Sequence, residues 1–326
     1  MRTIENELSL LPFSETMRTQ VLTQSALHDA ALAWLESRRP YLGDRTFKDY
    51  KNYIHILESF FGEMRLTEIG ADEIRAYQRM RMARAGATCI NKECSVLQQM
   101  LKRIGRWAEI EPNYQPLAPP KESPHRALTP QEEDRLYRIG TTNPHWEVAY
   151  CAFVISINTT AGPGEIRHLR PMDIDHERRT MRVQPEGAKN EHRIRVIPLN
   201  HSAWQAVEYL CERAKELGCT EPNHYLIPFR IKKGTYNPWR PAKGWRYALH
   251  EMLVAAGLHI SAYSFRHHAI TKLLENPDVS EETAEAIAGH ISHRMKKRYS
   301  HTRLHVKRAA VEALERIACP VSSPPK

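Results

Sequence analysis

Five side chains in the second half of the chain, Lys189, Arg266, His267, His290 and Tyr299, form a set suited to phosphoryl transfer without a metal. That chemistry needs cations and donors for the equatorial phosphate oxygens, an acid for the leaving alkoxide, and a nucleophile. Each of these jobs has a candidate in the set. The familiar alternatives lack their parts: the chain has no G-x-x-x-x-G-K-[ST], no Gly-x-Gly-x-x-Gly and no His-Glu-x-x-His, so phosphate-loop nucleotide hydrolysis and zinc-protease chemistry are not indicated. Taken singly, every candidate also has a plain reading. Arg266 could be a surface ion pair, Lys189 a solvated turn lysine, His290 a helix-capping histidine and Tyr299 a core tyrosine. The flanking Lys296, Lys297, Arg298 and Ser300 argue against a core position for the tyrosine.

The elements that must position these groups are mostly helical. About twenty residues without a clear period, taken as an arm over 1–22, precede a helical domain over 23–112. Helices are expected at Ser25–Arg39, at Thr46–Phe61 with Tyr50, Ile54, Leu57 and Phe61 on one face, at Ala71–Arg84, and at Thr88–Ile110 with Cys94, Leu97, Leu101, Ile104 and Ala108 in one stripe. Pro112, Pro116, Pro119, Pro120 and Pro124 then mark a semi-rigid linker over 113–127, whose Lys121, His125 and Arg126 could meet a phosphate backbone. The second domain, 128–326, opens on Thr129-Pro130-Gln131-Glu132, a capping box with proline at the first helical position. Helices are expected around Trp146–Ile157, Gly164–Leu169, Ser202–Leu217, Lys243–Ala256, Tyr263–Leu274, Glu281–Ala288 and Leu304–Ile317. Thr180–Gln184 and Arg193–Leu199 read as a hairpin that carries Lys189 on its tip. The fold class is therefore mainly α with a small antiparallel β-sheet.

Composition bounds the partners. With 326 residues the chain is long enough for two domains, and 41% hydrophobic with 26% charged residues is globular. No apolar run approaches the roughly 20 residues that span a bilayer, and the N-terminus lacks the apolar block of a secretory signal, so a cytoplasmic address is the expectation. Six cysteines without a Cys-x-x-Cys pair suggest reduced thiols. A formal net charge of +9 favours a polyanionic partner, nucleic acid first.

Gly164-Glu165-Ile166 at a helix start, Lys189 in a hairpin, SFRHHAIT at 264–271, AGH at 288–290 and RYSH at 298–301 together resemble the tyrosine recombinase, or phage integrase, family over about 290 residues. The resemblance implies a helical, SAM-like core-binding domain and a catalytic domain that clamp double-stranded DNA and assemble as homo-oligomers, with no cofactor. It implies that Tyr299 is the nucleophile that forms a 3′-phosphotyrosine and that Arg266 is the second catalytic arginine. Lys189 would protonate the leaving 5′-oxygen. His290 would help position the phosphate, and His267 would support the site. Tyr263 stands at the first residue of the family's His-x-x-Arg motif, while Lys121, Arg126, Lys296, Lys297 and Arg298 are the DNA-contact candidates. One departure is chemical: Gly162 stands where the family's first catalytic arginine belongs, and Arg167 and Arg170 follow too late in the next helix to replace it. Glycine here could also signal a backbone with positive φ that an arginine would strain. A DNA-binding relative without turnover and a type IB topoisomerase stay open as alternatives. A metal site built on His267, His268, His290 and His293 is the more distant one, because adjacent histidines on a helix point apart.

Overall fold

The computed structural model describes residues 25–118, 126–186, 194–276, 278–289, 291 and 311. The chain divides into two compact units, Met1–Glu122 and Ser123–Lys326.

The first unit is helical: α1 (Leu27–Arg38), α2 (Asp44–Phe61), α3 (Ala71–Met82), α4 (Ala87–Arg103) and the short α5 (Trp107–Ile110). Its core is built by Leu27, Leu35, Ile54, Leu57, Phe61, Tyr77 and Leu97, the residues that a 3.6-residue period turns inward. The single helix expected over Thr88–Ile110 is instead two. Gly105 takes φ +75° between α4 and α5, which shifts the phase so that Trp107 and Ile110 are buried while Ala108 is exposed. The first residues of the proline-rich stretch pack onto this unit rather than leaving it. Asn91 brackets Leu117 through both its amide groups, donating to the carbonyl at 2.8 Å and accepting from the N–H at 2.9 Å.

The second unit begins with α6 (Pro130–Gly140), where the expected capping box is present: the Glu132 N–H donates to Thr129 Oγ1 at 3.2 Å and the Thr129 N–H to Glu132 Oε2 at 2.8 Å. α7 (Glu147–Thr159) is apolar nearly all round and forms the centre of the core, packed by α9 (His201–Glu216), α10 (Arg246–Ala255) and α11 (Ala262–Glu275). The α6 and α7 helices approach so closely that a Cβ at Gly140 would lie 2.2 Å from the Tyr150 ring, which explains the glycine that ends α6. After the one-turn α8 (Pro163–Arg167), strands β1 (Ile174–Asp175), β2 (Thr180–Val183) and β3 (Arg195–Pro198) form an antiparallel sheet in that order, with Met181 opposite Ile197. β1 was not expected from the sequence. Nor was a second antiparallel pair, β4 (Pro228–Lys232) with β5 (Thr235–Pro241). α12 (Glu281–Ala288) ends at Gly289, whose φ is +72°. No helix among the described residues is long and apolar enough to cross a membrane. Four of the described cysteines are buried, and burial pushes the thiols of Cys94 and Cys151 up to about 12. The arm over 1–22 and the helix expected at Leu304–Ile317, apart from Val311, lie outside the described residues.

Candidate active site

The end of α7 and the start of α8 form the floor of the site. Thr160, in the left-handed region at φ 63°, stops α7 and aims its carbonyl at α11. Gly162 follows in extended backbone, φ −80° and ψ 162°, as the residue before Pro163 at the first position of α8. Glu165, three residues on, turns its carboxylate back to accept the Gly162 N–H at 2.9 Å. The same helix-start geometry that satisfies an orphan amide thus delivers a buried negative charge to the site.

Two arginines share that carboxylate. Arg266, on the second turn of α11 and almost wholly buried, places Nη1 3.6 Å from Glu165 Oε2. Arg195, on β3, places Nη2 3.2 Å from Glu165 Oε2 and Nη1 3.3 Å from Oε1. Two guanidinium charges against one carboxylate leave this trio at +1, in a setting where charge is poorly screened. Further donors of the cluster grip main-chain carbonyls. Arg266 Nη1 donates to Thr160 O, Arg266 Nη2 to Ala288 O at 2.7 Å and Arg195 Nε to Ile287 O at 2.7 Å, while Thr160 Oγ1 donates to Ile287 O at 3.1 Å. The last carbonyls of α12 have no partner within their own helix, so these side chains complete that end. They also fix the point at which the chain leaves α12 at Gly289.

Gly162 opens directly onto this cluster. A Cβ there would lie 3.8 Å from Arg266 Cδ and 3.8 Å from Tyr263 Cε1, ordinary contact distances. The positive φ considered for Gly162 is absent, so its backbone accepts any L residue. Tyr263, half exposed on the first turn of α11, forms the other wall of this space. Arg167 donates to Lys243 O at 3.3 Å and Arg170 to Tyr225 Oη at 2.8 Å, so the donors of both run away from the Glu165 cluster.

Among the remaining sequence candidates, Lys189, His290 and Tyr299 lie outside the described residues, as do Lys121, Lys296, Lys297 and Arg298. Arg126 is described, and its guanidinium forms a bidentate pair with Glu132 at 2.7 and 2.5 Å, which holds the Glu132 carboxyl down at about 2. His267 is partly buried on α11. Its neighbour His268 is structural: burial holds its imidazole below the usual range, Nδ1 accepts the Leu128 N–H at 3.1 Å, and Nε2 faces Glu133 Oε2 at 3.1 Å. Arg195 was not anticipated. A signal for it existed, because strand alternation puts residue 195 on the same face as the buried Ile197, and an arginine turned inward needs a carboxylate.

Comparison with known proteins agrees with this architecture. Residues 126–305 match the phage integrase family. No curated protein sequence matches the chain. Among solved structures, the Tn1549 transposon integrase in complex with a circular intermediate DNA aligns with TM-score 0.67 at 18% identity, covering 89% of this chain and 99% of that one. A lambda integrase dimer bound to a COC′ core site aligns with TM-score 0.61 at 17% identity over 82% of this chain and 96% of that one. A lambda integrase tetramer bound to a Holliday junction aligns with TM-score 0.60 at 16% identity over 92% and 84%. These solved structures share the fold, and the family match spans more than half of the chain: the protein belongs to the phage integrase family of tyrosine recombinases.

Proposed function

We propose that this protein cuts and rejoins double-stranded DNA at specific sites, as part of a mobile element, through a 3′-phosphotyrosine intermediate. The first unit acts as the core-binding domain and the second as the catalytic domain. Tyr299 Oη attacks the scissile phosphorus, the P–O5′ bond breaks, and Lys189 gives the leaving 5′-oxygen its proton. Arg266 holds the phosphate oxygens, His290 and Tyr263 donate to them, and the protein–DNA linkage conserves the bond for rejoining. Copies assemble on DNA through the C-terminal helix expected at Leu304–Ile317. The observation that carries the reading is the buried Arg266, clamped by two main-chain carbonyls beside Glu165 and Arg195, with its Cδ bordering the space at Gly162. Two buried guanidiniums sharing one carboxylate support an anion site at that cluster.

Gly162 favours one second reading, a protein that binds DNA and cleaves it slowly or not at all. A single experiment addresses both. Duplexes selected by binding from a random pool, then nicked beside the scissile position, trap a covalent protein–DNA adduct if cleavage occurs. The wild-type protein is expected to form the adduct slowly, and Tyr299→Phe is expected to form none while binding within a few-fold of wild type. An adduct formed by the Phe variant would refute the nucleophile assignment, and tight binding without any adduct from the wild type would establish the second reading.

A further inference from the structure

Between Glu221 and Glu251 the sequence holds Arg230, Lys232, Lys233, Arg240, Lys243 and Arg246 and no acidic residue, a concentration of charge that a protein of net +9 does not need for solubility. The structure gathers most of it on the β4–β5 hairpin, whose turn carries Gly234 at φ +73°. All six cations are exposed, and among the described residues none of them pairs with a carboxylate. The hairpin is also built to hold its charges in place. Arg240 lies over the Phe229 ring at 4.3 Å and Lys243 at 5.9 Å, so two cations are ordered by an aromatic face rather than by a counter-ion. The base is anchored to the body of the unit by the Leu226 N–H donating to Leu169 O at 2.9 Å.

Like charges crowded on a rigid ribbon repel one another, and a polyanion relieves that repulsion. Strand addition by a partner protein is a poor match, since Pro238 and Pro241 remove donors from β5 and the strand pairing is interrupted by register shifts. Side-chain contact with phosphates meets no such obstacle, and a two-stranded ribbon is narrow enough to lie along or within a DNA groove. We propose that the β4–β5 hairpin is a DNA-contact surface separate from the active site, gripping the phosphate backbone of the duplex without regard to sequence. This rests on the strand-exchange reading above and adds a surface to it.

The test uses the full chain and a long duplex of arbitrary sequence, with affinity measured against salt concentration. Each phosphate contact contributes about 0.9 to the slope of log K against log salt. The triple variant Arg230→Gln/Lys232→Gln/Lys233→Gln should therefore lose about 2–3 from the magnitude of that slope, with its melting temperature unchanged. A control with equal charge loss, Arg138→Gln/Arg178→Gln/Lys215→Gln, should keep the wild-type slope. An unchanged slope in the hairpin variant, or an equal loss in the control, overturns the proposal and leaves strand exchange standing. A wild-type protein that shows no salt-dependent binding to duplex would overturn both, and covalent capture on nicked DNA separates that case from failure of the hairpin alone.

Discussion

Replacing Gly162 with arginine should raise the rate of DNA cleavage about 100–1000-fold, equivalent to about 2.7–4 kcal/mol of transition-state stabilisation, while binding changes much less. The backbone offers no obstacle. Gly162 sits at φ −80°, and the first side-chain atom would meet Arg266 and Tyr263 at 3.8 Å each. The cost falls on the protein without DNA. A third guanidinium takes the Glu165 cluster from +1 to +2, and at a separation of about 6 Å and an effective dielectric of about 20 the added repulsion is about 3 kcal/mol. A bound phosphate reverses that sign, so the variant should unfold at lower denaturant concentration than wild type when free and recover much of the difference with duplex present. Gly162→Ala supplies the control, because alanine in place of glycine at a helix N-cap costs about 1 kcal/mol or less and brings no charge. Single-turnover cleavage of a nicked duplex, read beside denaturant unfolding with and without DNA, measures all three proteins. An arginine variant that folds and binds but cleaves no faster than the alanine variant would refute the missing-charge argument.

Arg195→Met should destabilise the second unit by about 3–5 kcal/mol, since it takes from Ile287 O the shorter of its two side-chain hydrogen bonds and leaves Glu165 with one guanidinium fewer in a buried site. Arg195→Lys restores the charge but not the fork that reaches both partners, and should fall between the two in urea unfolding; equal stability of all three proteins would show that the pair carries little. Stability should also depend on His268. Its folded-state pKa is depressed, chiefly by burial, with Lys272 adding and Glu133 opposing, so its contribution is complete above the unfolded value of about 6.5 and is lost as pH falls through the folded value. Urea unfolding compared between pH 5 and pH 7.5 should show a smaller pH-dependent loss in His268→Gln than in wild type, and parallel losses would exclude the histidine as the source.

The helices were legible because their signals are local. The cap at Thr129, the apolar stripe through Ile54, Leu57 and Phe61, and the glycine after Ala288 each act within one or two turns of chain. The split between α4 and α5 was missed because the apolar pattern runs through Gly105 and only its left-handed backbone interrupts the helix. The β4–β5 hairpin was missed because its strands carry prolines and lysines where a strand ordinarily shows alternating apolar residues, and what holds it is pairing between segments. At the site, Arg266 and Gly162 could be singled out from short motifs. The partnership of Arg195 with Glu165 joins residues thirty positions apart, and that distance is set by how β3 lies against α8 and α12.

That partnership bears on how a glycine can occupy position 162 without collapse of the site. The described cluster depends on groups other than a side chain there: the Gly162 main-chain N–H orients Glu165, Glu165 holds Arg195 and Arg266, and the two arginines with Thr160 close the end of α12. None of these bonds passes through an atom beyond the backbone of residue 162. On the proposed reading, a glycine in place of arginine at that position withholds charge and donors from a bound phosphate while leaving Arg266 and the end of α12 in place. A scaffold organised in this way can keep its affinity for DNA while its rate of cleavage falls. Removing Glu165, by contrast, would leave two buried guanidiniums facing each other without their shared carboxylate, so folding and chemistry should fail together there.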